Sequence, residues 1–364
     1  MDPYLSVLLA AFVLGLGVAA VLFAVVPRLP ASLPLAGLRG GQGRPPPLGG
    51  FAVLIAFAVA PFIAAAVSDK AAEYFNPKRT EFLGYLGAVS LVVLTGAIDD
   101  WRAVRPWQKL AGQLIAGAAV FAAGYRLEAV GFPWGGAISL GLLALPATLL
   151  WVAFFTNAVN LIDGKDGVAT GVSVFAAAAV AAVAADTGHP AVALLCVGIA
   201  GAGLGFLPFN LPSASLILGD AGALLLGFVL ATLSLRGATG LEGSVFIAVP
   251  VLALGFPVLD TLLAAARRLL EGRHPFTGDT DHIHHRLEQL DLGPRGVLAA
   301  LYLLSALFAA AALATHYVDS VVAEAAIFAG LALLVALVLG RLGYLVSMWR
   351  SPRLAGVRKR LAGE

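Results

Sequence analysis

The sequence predicts an all-α fold, that of a polytopic integral membrane protein with about eleven transmembrane helices. Three observations lead to this prediction. Of the 364 residues, 60% are hydrophobic and 12% are charged, whereas soluble domains carry about 25% charged residues. The mean hydropathy is +0.93. The apolar residues also form stretches long enough to cross a bilayer as helices, so we expect residues 1–364 to form one membrane domain.

The apolar stretches follow one another along the whole chain. They predict spans at residues 4–26, 49–67, 82–98, 108–125, 139–155, 168–185, 190–207, 217–235, 245–266, 297–315 and 321–346. No Lys or Arg precedes the first stretch, which is longer than the core of a signal peptide, so we expect it to remain as a span. The single cysteine, Cys196, lies in an apolar run and is expected to be a buried thiol.

The distribution of Lys and Arg predicts the orientation. An odd number of spans places the termini on opposite sides of the membrane. Seventeen of the 23 Lys and Arg residues lie in the C-terminal tail and the loops of one side, five lie in the loops of the other side, and Arg341 lies in the last span. Cytoplasmic loops carry the positive excess, so we expect the N-terminus outside and the C-terminus in the cytoplasm. The cytoplasmic side would include a His-rich loop at 265–296 and a basic tail at 347–364.

The segment 156–167, between two predicted spans, concentrates polar side chains. Carboxamides and carboxylates recur every three residues, at Asn157, Asn160, Asp163 and Asp166. This step brings side chains to neighbouring positions if the segment is helical. Oxygen ligands without Cys or His suit a hard cation such as Mg²⁺. A plain hydrophilic turn between two spans is the alternative.

Three further segments on the same side carry candidate residues. Asp99 and Asp100 end the third span, where two carboxylates repel each other and oppose the helix dipole, so we expect a cationic or proton partner nearby. Solvated interface charges are the alternative. Asp220 lies between glycines at the start of the eighth span, where it could also be a simple cap. The segment 45–50 is rich in Pro and Gly, which fits either a close backbone approach or a plain linker.

Four of the six histidines lie in the segment 274–285. A zinc site would normally add Cys or widely spaced ligands, which this segment lacks. His and Arg beside a carboxylate-rich surface are better explained as contacts to phosphate oxygens. The chain has no basic face of the kind that binds nucleic acid, so we expect no nucleic-acid partner.

Five segments together resemble the polyprenyl-phosphate N-acetylhexosamine-1-phosphate transferase family. They are Pro-Pro-Pro-Leu-Gly-Gly at 45–50, Asp99-Asp100 with Lys109, Leu110 and Gln113, the segment 157–167, Phe209-Asn210 with Asp220-Ala221-Gly222, and Pro257-x-x-Asp260 leading to His-Ile-His-His-Arg-Leu at 282–287. Each motif is weak alone. Their order, spacing and common side make the set specific.

The resemblance implies an Mg²⁺-dependent transferase, in which Mn²⁺ would substitute for Mg²⁺. It would transfer a sugar 1-phosphate, above all N-acetylglucosamine 1-phosphate, from a UDP-N-acetylhexosamine to a polyprenyl phosphate such as undecaprenyl phosphate. UMP would leave, and the lipid-linked sugar would start a cell-surface glycan. The expected location is the plasma (inner) membrane with the site on its cytoplasmic face, and the further expected partners are the lipid bilayer and a second copy in a homodimer.

The resemblance also assigns roles by position. Asp220 matches the family's metal-binding carboxylate, with Asn160 as a second ligand. Four catalytic candidates follow: Asp99 and Asp100 match the pair assigned to catalysis and to the lipid phosphate, and Asp163 and Asp166 match polar groups near the nucleotide. The predicted substrate-binding residues are Lys109, Asn157, Asn210, His282, His284, His285 and Arg286.

The sequence departs from the family pattern at several positions. Ala103 stands where a third carboxylate is common, and Lys165 replaces a usually apolar residue between two glycines. Leu48 and Thr280 stand where basic residues are common, and Ala223 where Ser is common. Three alternatives stay open: a phospho-N-acetylmuramoyl-pentapeptide transferase, whose His loop differs from this one; a polytopic transporter; and a CDP-alcohol phosphotransferase, whose motif is incomplete here.

Overall fold

The computed structural model describes residues 1–28, 45–132, 136–239, 245–274, 281–318, 320–344 and 348. These residues form an all-α bundle, as predicted. Its helices are α1 (Pro3–Val25), α2 (Gly49–Val67), α3 (Asp69–Phe75), α4 (Arg79–Trp101), α5 (Pro106–Ala122), α6 (Ala144–Ile162), α7 (Val168–Asp186), α8 (Pro190–Asn210), α9 (Gly219–Gly237), α10 (Ala248–Ala253), α11 (Gly255–Leu270), α12 (Ile283–Glu288), α13 (Gly293–Tyr317) and α14 (Val321–Arg341). The predicted tail at 347–364 lies outside the described residues, apart from Met348.

Nine helical segments of the described chain are long and apolar enough to cross a membrane. They are α1, α2, α3 joined to α4, α6 with the turn before it, α7, α8, α9, α13 and α14. The other two predicted spans correspond to α5, which has 17 residues, and to the pair α10 and α11. The count of about eleven therefore holds for apolar helical segments, while nine have the full spanning length.

The predicted span 245–266 is broken in the structure. Helix α10 ends at Ala253 and α11 begins at Gly255. Pro257 lacks the N–H that would bond to the carbonyl of Ala253, and its ring would crowd that carbonyl. The break at Leu254 removes the conflict, which hydropathy alone did not reveal.

The predicted span 139–155 is displaced along the chain, because α6 runs from Ala144 to Ile162. Residues before it form a short antiparallel hairpin of strands β1 (Ala129–Gly131) and β2 (Ala137–Ser139). The helix instead continues through Asn157 and Asn160. Asn157 and Asn160 are therefore helical, as the three-residue step assumes, whereas Asp163 and Asp166 lie in the turn beyond the end of the helix.

Helix α9 is the centre of the bundle. In its most apolar window 83% of the residues are buried, whereas the corresponding value for α14 is 6%. Helix α9 packs against α2, α4, α6 and α7. Because α9 is enclosed on all sides, its first residues bring Asp220 to a point where several other helices end.

The bundle has two distinct ends. At one, called the site end, the segments 45–50, 99–109, 157–167, 210–220, 260–268 and 282–288 meet. At the opposite end, Ser68 Oγ donates to the carbonyl of Met1 at 2.8 Å, and Arg236 pairs with Glu81 at 2.9 Å. All the described candidate segments of the predicted cytoplasmic side therefore lie at one end of the bundle.

Two glycines allow the segment 45–50 to lie against α9. The N–H groups of Gly49 and Gly50 donate to the carbonyls of Ile217 and Leu218 at 3.0 and 2.9 Å. A Cβ on Gly50 would lie 2.4 Å from the backbone nitrogen of Gly222. Only a residue without a side chain permits this approach. The close-approach interpretation of this segment is confirmed.

The predicted loop at 265–296 contains more helix than expected. Helix α11 continues to Leu270, α12 occupies Ile283–Glu288, and α13 begins at Gly293. Arg267 and Arg268 are thus helical and buried. The short helix α12 displays the histidines on a fixed backbone, which a loop would not do.

Candidate active site

Asp100 caps the N-terminus of α9. Its Oδ1 accepts from the backbone N–H of Asp220 at 2.8 Å, and its Oδ2 accepts from that of Ala221 at 3.0 Å. Gly219 has φ +75°, and a Cβ there would lie 2.8 Å from Asp100 Oδ2. Asp100 therefore faces the positive end of the α9 dipole, a partner that the sequence did not predict. The helix is capped by Asp100, so capping by Asp220, the alternative left open, is not what the structure shows.

Lys109 is the partner of the other carboxylate. Its Nζ lies 2.8 Å from Asp99 Oδ2 and 3.0 Å from Asp220 Oδ1. Asp99 Oδ1 also accepts from the N–H of Val104 at 2.7 Å. One ammonium group therefore holds together two carboxylates from α4 and α9. The prediction of a cationic partner beside the aspartate pair is confirmed.

Asn160 and Asp163 extend this cluster from the end of α6. Asn160 Nδ2 donates to Asp220 Oδ1 at 2.5 Å. Asp163, which directly follows α6, has no hydrogen-bond or ion-pair partner for its carboxylate among the described residues. Desolvation by the surrounding protein, and then the negative charges of Asp220, Asp100 and Asp166, raise the pKa of Asp163 well above its ordinary value. The carboxylates around Asp163 thus repel one another, and a cation among them would relieve that repulsion.

Two other predicted polar residues brace the site. Asp166 Oδ2 accepts from the N–H of Ala214 at 3.1 Å. Asn210 is buried, and its Oδ1 accepts from the N–H of Gly167 at 3.2 Å and from Thr170 Oγ1 at 2.8 Å. These bonds tie the turn after α6 to the turn after α8. Asn210 therefore has a structural role in this arrangement, and its predicted substrate contact stays a prediction.

Asn157 lies one turn deeper than Asn160. It forms a reciprocal amide pair with the buried Gln113 of α5, in which Asn157 Nδ2 donates to Gln113 Oε1 at 2.6 Å. Asn157 is not among the residues that line the cleft. The structure places it as a link between α5 and α6, and its predicted substrate contact also remains a prediction.

The three histidines of the His-Ile-His-His-Arg run differ in environment. His282 Nδ1 lies 2.6 Å from Oδ2 of the buried Asp260, whose Oδ1 accepts from the N–H of Ile283 at 2.9 Å. Burial, followed by the charge of His285, lowers the pKa of His284 to about 4. His284 is therefore neutral near pH 7, and its ring lies against Gly164. Phosphate contacts by His284 would use a neutral imidazole.

Arg286, predicted to bind substrate, is held by residues outside the cleft lining. Its guanidinium forms a bidentate pair with Asp281, donates to the carbonyl of Leu342 at 3.1 Å and lies 3.8 Å from the ring centre of Tyr344. It is not among the cleft-lining residues. In this structure Arg286 connects α12 to the end of α14, and its predicted substrate contact stays a prediction. The sequence could not reveal the pairing of Arg286 with Asp281, because an arginine near an aspartate can bind either that aspartate or an anionic ligand.

A cleft of about 550 Å³ opens at the site end. It is lined by Asn160, Leu161, Asp163, Gly164, Lys165, Asp166, Asn210, Ile217, Leu218, Gly219, Asp220, His282, His284 and His285. The structure thus brings residues of three predicted segments to one cavity. Asp99, Asp100 and Lys109 stand behind Asp220 and set its position.

Sequence reasoning missed two contributors, Glu288 and Tyr302, and it named Asp260 within the family motif without giving it a role at the site. Asp260 orients His282, Glu288 pairs with Lys165 at 2.7 Å, and Tyr302 Oη donates to the carbonyl of Gly167 at 2.7 Å. Asp260 carried a signal, because a lone carboxylate in an apolar run needs a partner. Tyr302 carried none, since it lies in an ordinary apolar span.

The residues present fit Mg²⁺. No three His, Cys, Asp or Glu side chains in the described ranges form a complete protein cage. Mg²⁺ usually takes one or two carboxylates and completes its shell with water and substrate phosphates. Asp220 with Asn160 would hold it, and the unpartnered carboxylate of Asp163 in the same cleft is the observation that favours a cation there.

The fold and the cleft define a class: a polytopic membrane protein with a carboxylate- and histidine-lined cleft at one end of its helices. Residues 82–238, from α4 to the end of α9, match the glycosyl transferase family 4 model. The chain is 32% identical over 269 residues to a probable undecaprenyl-phosphate N-acetylglucosaminyl 1-phosphate transferase of Bacillus subtilis. The aligned residues make up 74% of this chain and 72% of that relative.

Two further relatives extend the comparison. A decaprenyl-phosphate N-acetylglucosaminephosphotransferase of Mycolicibacterium smegmatis is 31% identical over 315 residues, covering 80% of this chain and 77% of the relative. A phospho-N-acetylmuramoyl-pentapeptide-transferase of Limosilactobacillus fermentum is 38% identical over 165 residues, but covers 42% of this chain and 51% of the relative. The chain belongs to glycosyl transferase family 4. The resemblance noted in the sequence is confirmed.

Proposed function

We propose that the chain transfers N-acetylglucosamine 1-phosphate from UDP-N-acetylglucosamine to a polyprenyl phosphate such as undecaprenyl phosphate, releasing UMP. The observation that carries the proposal is the contact of Lys109 with both Asp99 and Asp220 beside a cleft lined by His282 and His284. Such a cluster provides a metal-binding carboxylate next to groups that contact phosphate. Of the relatives described above, the two with broad coverage are named as a probable undecaprenyl-phosphate N-acetylglucosaminyl 1-phosphate transferase and a decaprenyl-phosphate N-acetylglucosaminephosphotransferase.

The reaction needs charge neutralisation more than a strong base. A phosphate monoester has a second pKa near 6, so the acceptor is mostly dianionic at neutral pH. An oxygen of the lipid phosphate forms a bond to the β-phosphorus of the donor, the bond from that phosphorus to the bridging oxygen breaks, and its electrons leave with UMP. Bound Mg²⁺ would neutralise the non-bridging oxygens.

The chain's own residues have separate tasks in this proposal. Both oxygens of Asp100 are used by the α9 backbone, so Asp100 is a positioning residue for Asp220. Asp99 and Lys109 hold the Asp220 carboxylate from the other side. Asp163, with its raised pKa and free carboxylate, is suited to accept the residual proton of a monoprotonated acceptor. A covalent aspartyl-phosphate route is the rival, and a burst of UMP without lipid would favour it.

The site end is proposed to face the cytoplasm, in the plasma (inner) membrane. The excess of Lys and Arg in the segments of this side supports the orientation. Lys165→Cys and Lys78→Cys, each in a Cys196→Ala background, would place single thiols at the two ends. We expect an impermeant maleimide added to intact cells to label position 78 and not position 165. Labelling of position 165 but not of position 78 would show that the site end faces outward and would contradict the proposed orientation.

The test of the activity uses the purified full chain in nanodiscs with undecaprenyl phosphate and Mg²⁺. UDP-N-acetylglucosamine, UDP-N-acetylgalactosamine and UDP-N-acetylmuramoyl-pentapeptide are compared by UMP release and by mass spectrometry of the lipid product. We expect the lipid pyrophosphate of N-acetylglucosamine to be the main product, with Mn²⁺ replacing Mg²⁺. If only the pentapeptide donor were turned over, the result would instead favour the activity named for the partly covered relative, that of a phospho-N-acetylmuramoyl-pentapeptide-transferase. Size measurement in the same nanodisc preparation tests the proposed homodimer.

A further inference from the structure

Lys165 is the one Lys or Arg among the described residues that line the cleft. It lies in the turn between α6 and α7, between the carboxylates of Asp163 and Asp166. The cleft also displays Asp220, so three carboxylates and one ammonium group face it. A donor that brings a diphosphate into this cleft needs positive charge close to its oxygens.

The present partner of Lys165 is a weak competitor. Its Nζ lies 2.7 Å from Glu288 Oε1, and each of the two side chains is 39% exposed. Exposed ion pairs contribute little stability, because solvent screens them and both side chains lose rotamer freedom. The pair can therefore open at small cost when a stronger anion arrives.

The other cations near the cleft are held more firmly. Lys109 contacts two carboxylates, at 2.8 and 3.0 Å. The guanidinium of Arg286 is bidentate to Asp281 and also contacts Leu342. Lys165 differs from both, because its ion pair with Glu288 lies at the solvent-exposed rim.

We propose that Lys165 binds an anionic phosphate oxygen of the donor by exchanging Glu288 for it, an inference that rests on the proposed function. Lys165 lies beyond the end of α6, on the solvent side where a soluble nucleotide sugar would enter. Lys109 lies in α5, behind Asp220. The two lysines thus have different tasks, with Lys165 contacting the donor and Lys109 holding the carboxylate cluster.

Three variants distinguish a Lys165 that binds the donor from a Lys165 that only forms a structural ion pair with Glu288. Lys165→Met removes the cation, Glu288→Gln frees it, and the double variant K165E/E288K restores a bridge with reversed charges. Lys78→Met, from the matched Lys78–Glu81 pair at the opposite end, is the control. For each we would measure donor KM, acceptor KM, kcat, and binding of UDP-N-acetylglucosamine by calorimetry without the lipid acceptor.

Ligand exchange predicts opposite signs for the two single variants. Lys165→Met should raise donor KM and Kd about tenfold, equivalent to about 1.4 kcal/mol, with acceptor KM unchanged. Glu288→Gln should lower donor KM about threefold, because the competing carboxylate is gone. The double variant should remain as weak as Lys165→Met, and Lys78→Met should match the wild type.

Other outcomes overturn the inference. Equal losses in both single variants with rescue by the double variant would mean that Lys165 acts only as a structural latch. A change confined to acceptor KM would mean that Lys165 contacts the lipid phosphate. Wild-type binding of the nucleotide sugar without turnover would refute the proposed function and leave the binding comparison decisive for Lys165. Absence of wild-type binding would refute both.

Discussion

Replacing Asp100 tests whether this carboxylate positions α9. Asp100→Ala removes both acceptors at the helix N-terminus, those for Asp220 N–H and Ala221 N–H. Loss of an N-cap acceptor costs about 0.5–2 kcal/mol, and two are lost here together with a favourable charge at the positive end of the dipole. We expect destabilisation of about 2–3 kcal/mol, or roughly 5 °C in apparent Tm. Turnover should fall as well, because Asp220 is the first residue displaced.

Thermal unfolding of the full chain in nanodiscs measures this effect, with turnover recorded on the same samples. Asp163→Ala is the matched control, because the Asp163 carboxylate has a raised pKa and no hydrogen-bond partner among the described residues. Its removal should lower turnover while apparent Tm stays the same or rises. If Asp100→Ala abolished turnover at an unchanged Tm, Asp100 would be acting on substrate and our assignment of a capping role would be wrong.

Three further predictions concern the metal, pH and packing. Asp220→Asn should raise the Mg²⁺ concentration for half-maximal turnover at least about tenfold, because a neutral amide is a weaker ligand; an unchanged Mg²⁺ titration would contradict the metal assignment. The pKa of His284 is lowered to about 4, so between pH 6.5 and 4 the unfolded chain binds the proton more readily and stability falls as pH falls. This amounts to on the order of 3 kcal/mol, and His284→Gln should remove that part of the acid sensitivity in pH-dependent unfolding. A Cβ at position 171 would lie 2.1 Å from the ring of Tyr302, so Gly171→Ala should cost about 1–3 kcal/mol, and adding Tyr302→Leu should restore part of the apparent Tm.

The sequence predicted most of the helices because spanning length and apolarity are local properties. The predicted span at 49–67 coincides with α2, and those at 168–185 and 190–207 start where α7 and α8 start. The break at Leu254 was missed, since an uninterrupted apolar run hides a change of backbone direction. The displaced start of α6 was missed because the short helical turn Gly141–Leu143 before it is as apolar as the helix that follows.

At the candidate site, too, the sequence predicted part of the arrangement and missed the rest. The sequence identified Asp99, Asp100 and Asp220 and predicted a cationic partner for the pair. It did not assign those partners, since Asp100 reaches a backbone 120 residues away and Lys109 bridges α4 and α9. It also grouped Arg286 with the histidines, whereas the guanidinium faces Asp281.

Residue type and spacing alone therefore determined that this chain is a helical membrane protein and which polar groups it reserves for one side. The tertiary structure decided which of those groups face the cleft and which hold one another. The physical reason is that hydropathy is a property of each residue and its neighbours in sequence. The donor that a carboxylate binds depends instead on distances set by the packing of whole helices.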